Sequence, residues 1–333
     1  MFSNSVRISL LAGAAGTLLA ALSTAPSLAV DAVKPTSPVE IFVGANPGGG
    51  YDRMARAIQG VIEKQKLLDV PLNITYRPGG GGAVAWATIN RYPKDMTKLS
   101  IFSPNLITDD VLGTSPVTYD KLTMISTMVF EDGCFAVNPK GKIKSAEDLV
   151  NALKKDPGEL RFGFAVAAGN QWHVAMAVLA DELGSDITKV RSTVFSSGGK
   201  AVAALLGEHT DVAVSGCASF AKHNEAGDLK IVAVAGEHRL TGLLASVPTW
   251  KELGHNVVWS AWRGILGPKG LSPGQVKFWE DEMQAVLKSS EWPEVAAANF
   301  WRTEFLDHEQ TVALMAKQRA QYDKTLKQLG LIK

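Results

Sequence analysis

Two glycine-rich stretches near the N-terminus carry the most readable chemistry of this chain: Ala45-Asn46-Pro47-Gly48-Gly49-Gly50-Tyr51-Asp52 and Arg77-Pro78-Gly79-Gly80-Gly81-Gly82. Glycine has no Cβ, so backbone N–H groups there can turn toward a bound group. Each stretch follows a short apolar run and leads into a helical pattern. A helix N-terminus behind such a loop adds unpaired donors and about half a positive charge. The combination suits an anion, most simply a carboxylate or phosphate. Asn46, Pro47, Gly48, Gly49, Gly50 and Asp52 are candidate ligand contacts in the first stretch, and Gly79, Gly80 and Gly81 in the second. Asp52 is better suited to ordering its loop than to meeting an anion, unless the ligand also carries an amino group.

Similar groups recur further along. Ser103 and Asn105 stand at the end of the apolar run Leu99-Ser100-Ile101-Phe102. Ala168, Gly169, Asn170 and Gln171 close another run and open a helix, with His173 in its first turn. Ser197, Gly198 and Gly199 open a third helix, and Ser215 ends the run that starts at Asp211. Arg53, Arg77 and Arg263 are available as charge partners. Trp172 and Trp262 are either cleft-lining or core residues.

The elements that must hold these groups follow from hydrophobic period. Val39 to Val43, Leu72 to Tyr76 and Leu99 to Phe102 read as strands, with helices from Tyr51 to Gln65 and Ala83 to Arg91 between them. The pattern restarts with extended runs at Thr127 to Phe130 and Cys134 to Val137. Strands follow at Arg161 to Val166, Arg191 to Phe195, Asp211 to Ser215 and Lys230 to Ala235. The tail from Ser272 reads as helical, with Ser272 as N-cap and Pro273 at the first helical position. Strands alternating with helices predict an α/β fold of two lobes, each a mainly parallel sheet flanked by helices. Ligands of such sheets sit at the carboxyl ends of strands, where these loops fall.

Composition narrows the function. The chain has 333 residues, 46% hydrophobic and 20% charged, with a net charge of +1. Without a basic block or acidic tail, nucleic acid is not an expected partner. Residues 1–29 read as a secretion signal: Arg7, an apolar stretch from Ile8 to Leu22, and small residues before a cleavage point after Ala29. The mature protein is expected in the periplasm and outside the membrane. There, Cys134 and Cys217 either pair or act as two small buried hydrophobes. No phosphate-loop, nucleophile-elbow or dinucleotide fingerprint is present, and the histidines and cysteines lack metal-ligand spacing. The chain is accordingly expected to work without metal or cofactor and not as an enzyme.

With these features placed, the chain resembles the solute-binding proteins of tripartite tricarboxylate transporters, the TctC/Bug family. Gly49-Gly50-Tyr51-Asp52 is similar to that family's Gly-Gly-x-x-Asp loop, and Tyr76-Arg77-Pro78-Gly79-Gly80-Gly81-Gly82 to its second loop. Gly169-Asn170-Gln171-Trp172-His173 resembles its Gly-x-x-x-His segment. Leu205 to Val212, Val247 to Gly254 and Trp262-Arg263-Gly264 continue the likeness in the same order. The resemblance implies a two-lobed, periplasmic-binding-protein-like clamp of the Venus-flytrap type. It implies carboxylate ligands held by backbone N–H groups, hydroxyls and water, and the large and small membrane subunits of a transporter as partners. The chain departs from the family at Phe195 and at Ser215-Gly216-Cys217, which points to a specificity of its own.

The expected organisation is residues 38–132 plus 251–333 as one lobe and 133–250 as the other, acting as a monomer. Two other functions stay open. One is a periplasmic sensor-input protein for a signalling receptor; the other is an enzyme acting on small organic acids.

Overall fold

The structure is a computed structural model that describes Met1 and residues 33–165 and 167–333; apart from Met1, the stretch read as a secretion signal lies outside the described residues, as does Val166. The first part alternates as the hydrophobic runs predict, with β1 (Val39–Val43), α1 (Gly50–Gln65), β2 (Leu72–Tyr76), α2 (Ala83–Ile89) and β3 (Lys98–Phe102), and then adds a helix that the runs do not predict, α3 (Asn105–Leu112). β4 (Leu122–Val137) then runs unbroken for 16 residues. The two extended runs of the sequence are thus one strand, and the polar Glu131-Asp132 between them lies inside it.

The second part contains α4 (Ala146–Lys155), β5 (Arg161–Ala165), α5 (Gln171–Glu182), β6 (Arg191–Phe195), α6 (Gly198–Leu206), β7 (Val212–Gly216), α7 (Ala221–Ala226) and β8 (Lys230–Val234). The chain returns through β9 (Ser260–Pro268) and ends with α8 (Pro273–Lys288), α9 (Trp292–Ala298), β10 (Trp301–Leu306) and α10 (His308–Gln328). The tail is therefore not wholly helical. Phe300 adopts a left-handed φ of 54°, which turns the chain out of α9 and lays β10 antiparallel on β4. Helix starts follow the expected capping chemistry. Ser272 and Gln275 cap each other at α8, Asp307 and Gln310 do so at α10, and Ser145 accepts from the Asp148 N–H at α4.

Strand order is β2-β1-β3-β9-β4-β7-β5-β6, with β8 and β10 also paired to β4. The strands that carry the glycine loops pair in parallel: β1 with β2 and β3, and β5 with β6 and β7. Every antiparallel ladder involves β4 or β9. Along β4 the partners change. Residues up to Asp132 pair with β9, whereas from Gly133 onward they pair with β7. Wide apolar burial on both sides fixes this arrangement, with Trp86, Trp250, Trp262, Trp279 and Trp292 fully enclosed. Cys134 and Cys217 form a disulfide that ties β4 to the turn after β7.

Candidate functional site

The first glycine loop is shaped by Asp52. Its Oδ2 accepts the Gly48 N–H at 2.7 Å, and its Oδ1 accepts from Tyr76 Oη at 2.5 Å and Arg56 Nε at 2.8 Å. Burial pushes the Asp52 carboxyl up, but bonds from Tyr76, Gly48 and Arg56 outweigh it and hold the group below its ordinary value. Asp52 is thus a loop-ordering carboxylate with both oxygens occupied. Gly49 caps α1 with no side-chain bond, and the N–H groups of Gly50, Tyr51 and Asp52 find no acceptor among the described residues. Three donors and a positive helix end converge there.

The second loop needs its glycines for a different reason. Gly79, Gly80, Gly81 and Gly82 all have positive φ, from 55° to 134°, which side chains rarely tolerate. The Gly81 carbonyl accepts from Tyr51 Oη at 2.9 Å and Asn105 Nδ2 at 3.1 Å. Tyr51 Oη lies 2.6 Å from Ser103 Oγ, which also accepts the Asn105 N–H at 3.3 Å. Ser103, Asn105 and Gly81 therefore meet in one buried network that pins the second loop to the first. Asn105 Oδ1 has no partner in it.

At α5 the polar groups close on themselves. Asn170 accepts the N–H groups of Trp172 and His173, each at 3.0 Å, and its amide donates to the Ala165 carbonyl. Gly169 N–H donates to His173 Nδ1 at 3.0 Å, leaving Nε2 3.4 Å from Ser192 Oγ. The His173 ring stacks on Phe164 with 4.4 Å between centroids. Gly169 has a φ of 75°, and a Cβ there would lie 2.8 Å from Leu326 of α10 and 3.3 Å from Thr108 of α3. Asn170 and Gln171 are buried beneath these helices, whereas Ala168 is exposed.

α6 is more open. Ser197 Oγ accepts only the Lys200 N–H, at 3.4 Å, and the N–H groups of Gly198 and Gly199 find no acceptor among the described residues. A Cβ on Gly198 would lie 3.1 Å from Ser219 Oγ and 3.7 Å from Ser215 Oγ. Ser197, Gly198, Gly199 and Ser215 are thus brought together.

Between the α1 and α6 N-termini lies a charged group whose central residue the sequence reading missed. Glu131 of β4 is 1% exposed and Arg263 of β9 is 5% exposed. Arg263 Nη2 is 2.6 Å from Glu131 Oε2, and Arg53 Nη2 is 3.9 Å from Oε1. Two glycines make the space. A Cβ on Gly50 would sit 2.6 Å from Arg263 Nη2, and one on Gly216 would sit 2.1 Å from Glu131 Oε1. A chain of contacts thus runs from Gly50 through Arg263, Glu131 and Gly216 to Ser215 and Gly198. Arg53 also donates from Nη1 to the Gly48 carbonyl at 3.0 Å. Of the three arginines singled out in the sequence, Arg53 and Arg263 belong here, while Arg77 stacks over Phe42 at 5.9 Å. Glu131 left one signal in the sequence: a charge between two runs of strand pattern, with no turn residue before Gly133.

A cavity of about 590 Å³ lies elsewhere, lined by Asp132, Ser260, Leu240, Phe300 and Trp301 among others. None of the predicted site residues lines it. Asp132 follows Glu131 in β4, so the two side chains leave opposite faces of the strand.

Two buried titrating groups near the loops pull stability in opposite directions with pH. Burial depresses the His173 imidazole from 6.5 to about 4, so the folded protein keeps it neutral. The unfolded chain binds its proton first on acidification, and this contribution is lost as pH falls from about 6.5 to 4. Burial raises the Asp109 carboxyl of α3 from 3.8 to about 7, and Oδ2 has no partner. Here the folded protein holds the proton longer, so stability falls as pH rises from about 4 to 7. Asp109→Asn removes that second loss. Its advantage over the parent chain, read from urea unfolding, is expected to grow from near zero at pH 4 to about 4 kcal/mol at pH 8. A difference that does not change with pH would remove Asp109 from this account.

A family described as tripartite tricarboxylate transporter family receptor matches residues 54–331. BugT of Bordetella pertussis is 27% identical over 288 residues, 85% of this chain and 86% of BugT. Among solved structures, an adipate-bound protein of R. palustris superposes with a TM-score of 0.78 at 20% identity, covering 89% of this chain and 98% of that one. MatC from Rhodopseudomonas palustris, with bound malate, gives 0.74 at 18% identity, covering 88% and 99%. These likenesses show the fold: the two-lobed α/β architecture of periplasmic binding proteins.

Proposed function

From the membership of this chain in the tripartite tricarboxylate transporter receptor family, we propose that it captures a small organic carboxylate between two lobes and delivers it to the large and small membrane subunits of a transporter. The observation that carries this reading is the pair of helix ends, α1 and α6, whose first amides find no acceptor among the described residues and which contacts through Arg263, Glu131 and Ser215 connect. Anions are stabilised at such ends by unpaired donors and by the helix dipole. The relatives that hold malate and adipate share the fold and agree with a carboxylate ligand.

One lobe comprises residues 38–132 and 251–333, and the other 133–250; the change of ladder partners along β4 at Asp132 and Gly133 supports this division. The ligand contacts are the glycine loops at Gly48 to Gly50 and Gly79 to Gly81, with Ser197, Gly198, Gly199 and Ser215 opposite them. Asn170 and His173 shape the α5 loop. Export through residues 1–29, cleaved after Ala29, puts the protein in the periplasm, where it acts as a monomeric receptor rather than an enzyme. Among the described residues no helix is long and apolar enough to cross a membrane.

Titration calorimetry of the mature protein against a panel of organic acids tests this. Stoichiometric binding of at least one carboxylate is expected, with no product formed. Gly49→Leu and Gly199→Leu are the informative variants. A Cβ at Gly199 meets nothing within 4 Å, and at Gly49 the nearest atom is 3.4 Å away. Both are expected to weaken binding at least about tenfold, the equivalent of one lost hydrogen bond, while melting within about 2 °C of the parent. Unchanged affinity in both would take these loops out of the site, and turnover of a bound acid would return the protein to the enzyme class.

A further inference from the structure

The carboxylate reading leaves one feature unexplained. Arg53, Glu131 and Arg263 carry two positive charges and one negative; Glu131 and Arg263 are buried, and the Arg53 side chain is 29% exposed. Arg263 is 5% exposed, yet its Nε and Nη1 have no hydrogen-bond partner, and neither does Arg53 Nε. Both Glu131 oxygens also lack a hydrogen bond of good geometry, although Arg263 Nη2 is 2.6 Å away. Buried guanidinium donors are ordinarily satisfied, and an uncompensated buried charge is costly. Other charges nearby do not balance the group. Asp52 is taken by Arg56, and Asp132 faces the other side of β4, where Ser260 donates to it. One more anionic group would bring the cluster to neutrality and supply the missing acceptors.

We propose that Arg263, held by Glu131 and flanked by Arg53, sets the ligand specificity of this receptor by gripping a second anionic group. The ligand class is then a dianion, one end on the amides of α1 or α6 and the other on the guanidinium floor. Glu131 is a positioning residue, since it fixes the Arg263 fork instead of touching the ligand. Gly50 and Gly216 are parts of the same device, because a Cβ at either would displace a charged tip. The resemblance implies amides, hydroxyls and water as the grip on ligand; this chain adds a side-chain guanidinium, which forms stronger, charge-assisted bonds and rejects a neutral end. The inference rests on the carboxylate reading above.

Matched pairs of acids separate the two. Succinate, glutarate and adipate are titrated beside butyrate, valerate and hexanoate, using the parent chain, Arg263→Met, Arg263→Lys and Gly50→Ala. The parent is expected to prefer at least one diacid over its monoacid by about tenfold to hundredfold, the range of a charge-assisted pair. Arg263→Met should close that gap to within about threefold by weakening the diacid alone, with Arg263→Lys in between. Gly50→Ala, which leaves the charge but moves it, should narrow the gap as well. A parent that binds no acid of either kind overturns the carboxylate reading itself. A parent with no preference for diacids, or an Arg263→Met variant that keeps the gap or weakens both acids equally, overturns this inference alone. Should Arg263→Met fail to fold, an undiminished gap in both Arg263→Lys and Gly50→Ala is the overturning result.

Discussion

Gly264→Ala is expected to cost about 4 kcal/mol or more of unfolding free energy, above the usual range for overpacking of about 1–3 kcal/mol. Gly264 of β9 pairs with Phe102 of β3 on one side and Thr127 of β4 on the other. Its φ is outside the left-handed region, so the demand for glycine comes from space alone. A Cβ would stand 1.9 Å from the Ser126 carbonyl oxygen and 2.8 Å from Thr127 Cα. Both are backbone atoms of a central strand and cannot rotate away as a side chain can. Relief requires β4 and β9 to separate, which breaks the ladder holding Arg263 and Glu131 on their shared face. Urea unfolding beside Gly199→Ala, where a Cβ meets nothing within 4 Å, provides the measurement. The control should stay within about 0.5 kcal/mol of the parent. A loss below about 1 kcal/mol for Gly264→Ala would mean that the strands adjust freely.

Loss of the Cys134–Cys217 disulfide ranks beside it. The bond joins residues 83 apart in sequence, and both cysteines are buried. Freeing a loop of that size in the unfolded chain corresponds to about 4–5 kcal/mol in the chain-entropy account. For a chain of this length the drop in Tm is roughly 10 °C. Thermal melts with and without reductant, and of the Cys134→Ala/Cys217→Ala double variant, are expected to show that drop, and coincident melts would remove the cross-link from the stability of the fold. Ligand affinity measured at 20 °C should change much less, because neither sulfur belongs to the charged floor.

Legibility in the sequence followed locality. β1, β2 and β6 begin and end where the strand pattern does, because each is short and bounded by turn residues. The glycine loops were equally readable, since positive φ and helix starts depend on neighbours in the chain. β9 and β10 were not, because their strand character comes from pairing with β4, far away in sequence. Glu131 interrupts an apolar pattern and reads as a break between two strands. Only the fold, by bringing Arg263 against it, turns that break into a buried ion pair. Ser103 and Asn105 lay between these extremes. Their place at a strand end was readable, but not their use in bonding one glycine loop to the other.

β4 runs without interruption from its ladder with β9 into its ladder with β7, and this restricts how the molecule can flex. A free swivel needs a segment with no ladder to maintain, and neither β4 nor the β9 it pairs with offers one. Rotation of one half against the other must bend β4 between Asp132, its last partner on β9, and Gly133, its first on β7, and the nearest slip of register beyond that point lies between Phe135 and Ala136 in the ladder with β8. The connection therefore behaves as a leaf spring that bends beside Glu131, the residue before Asp132.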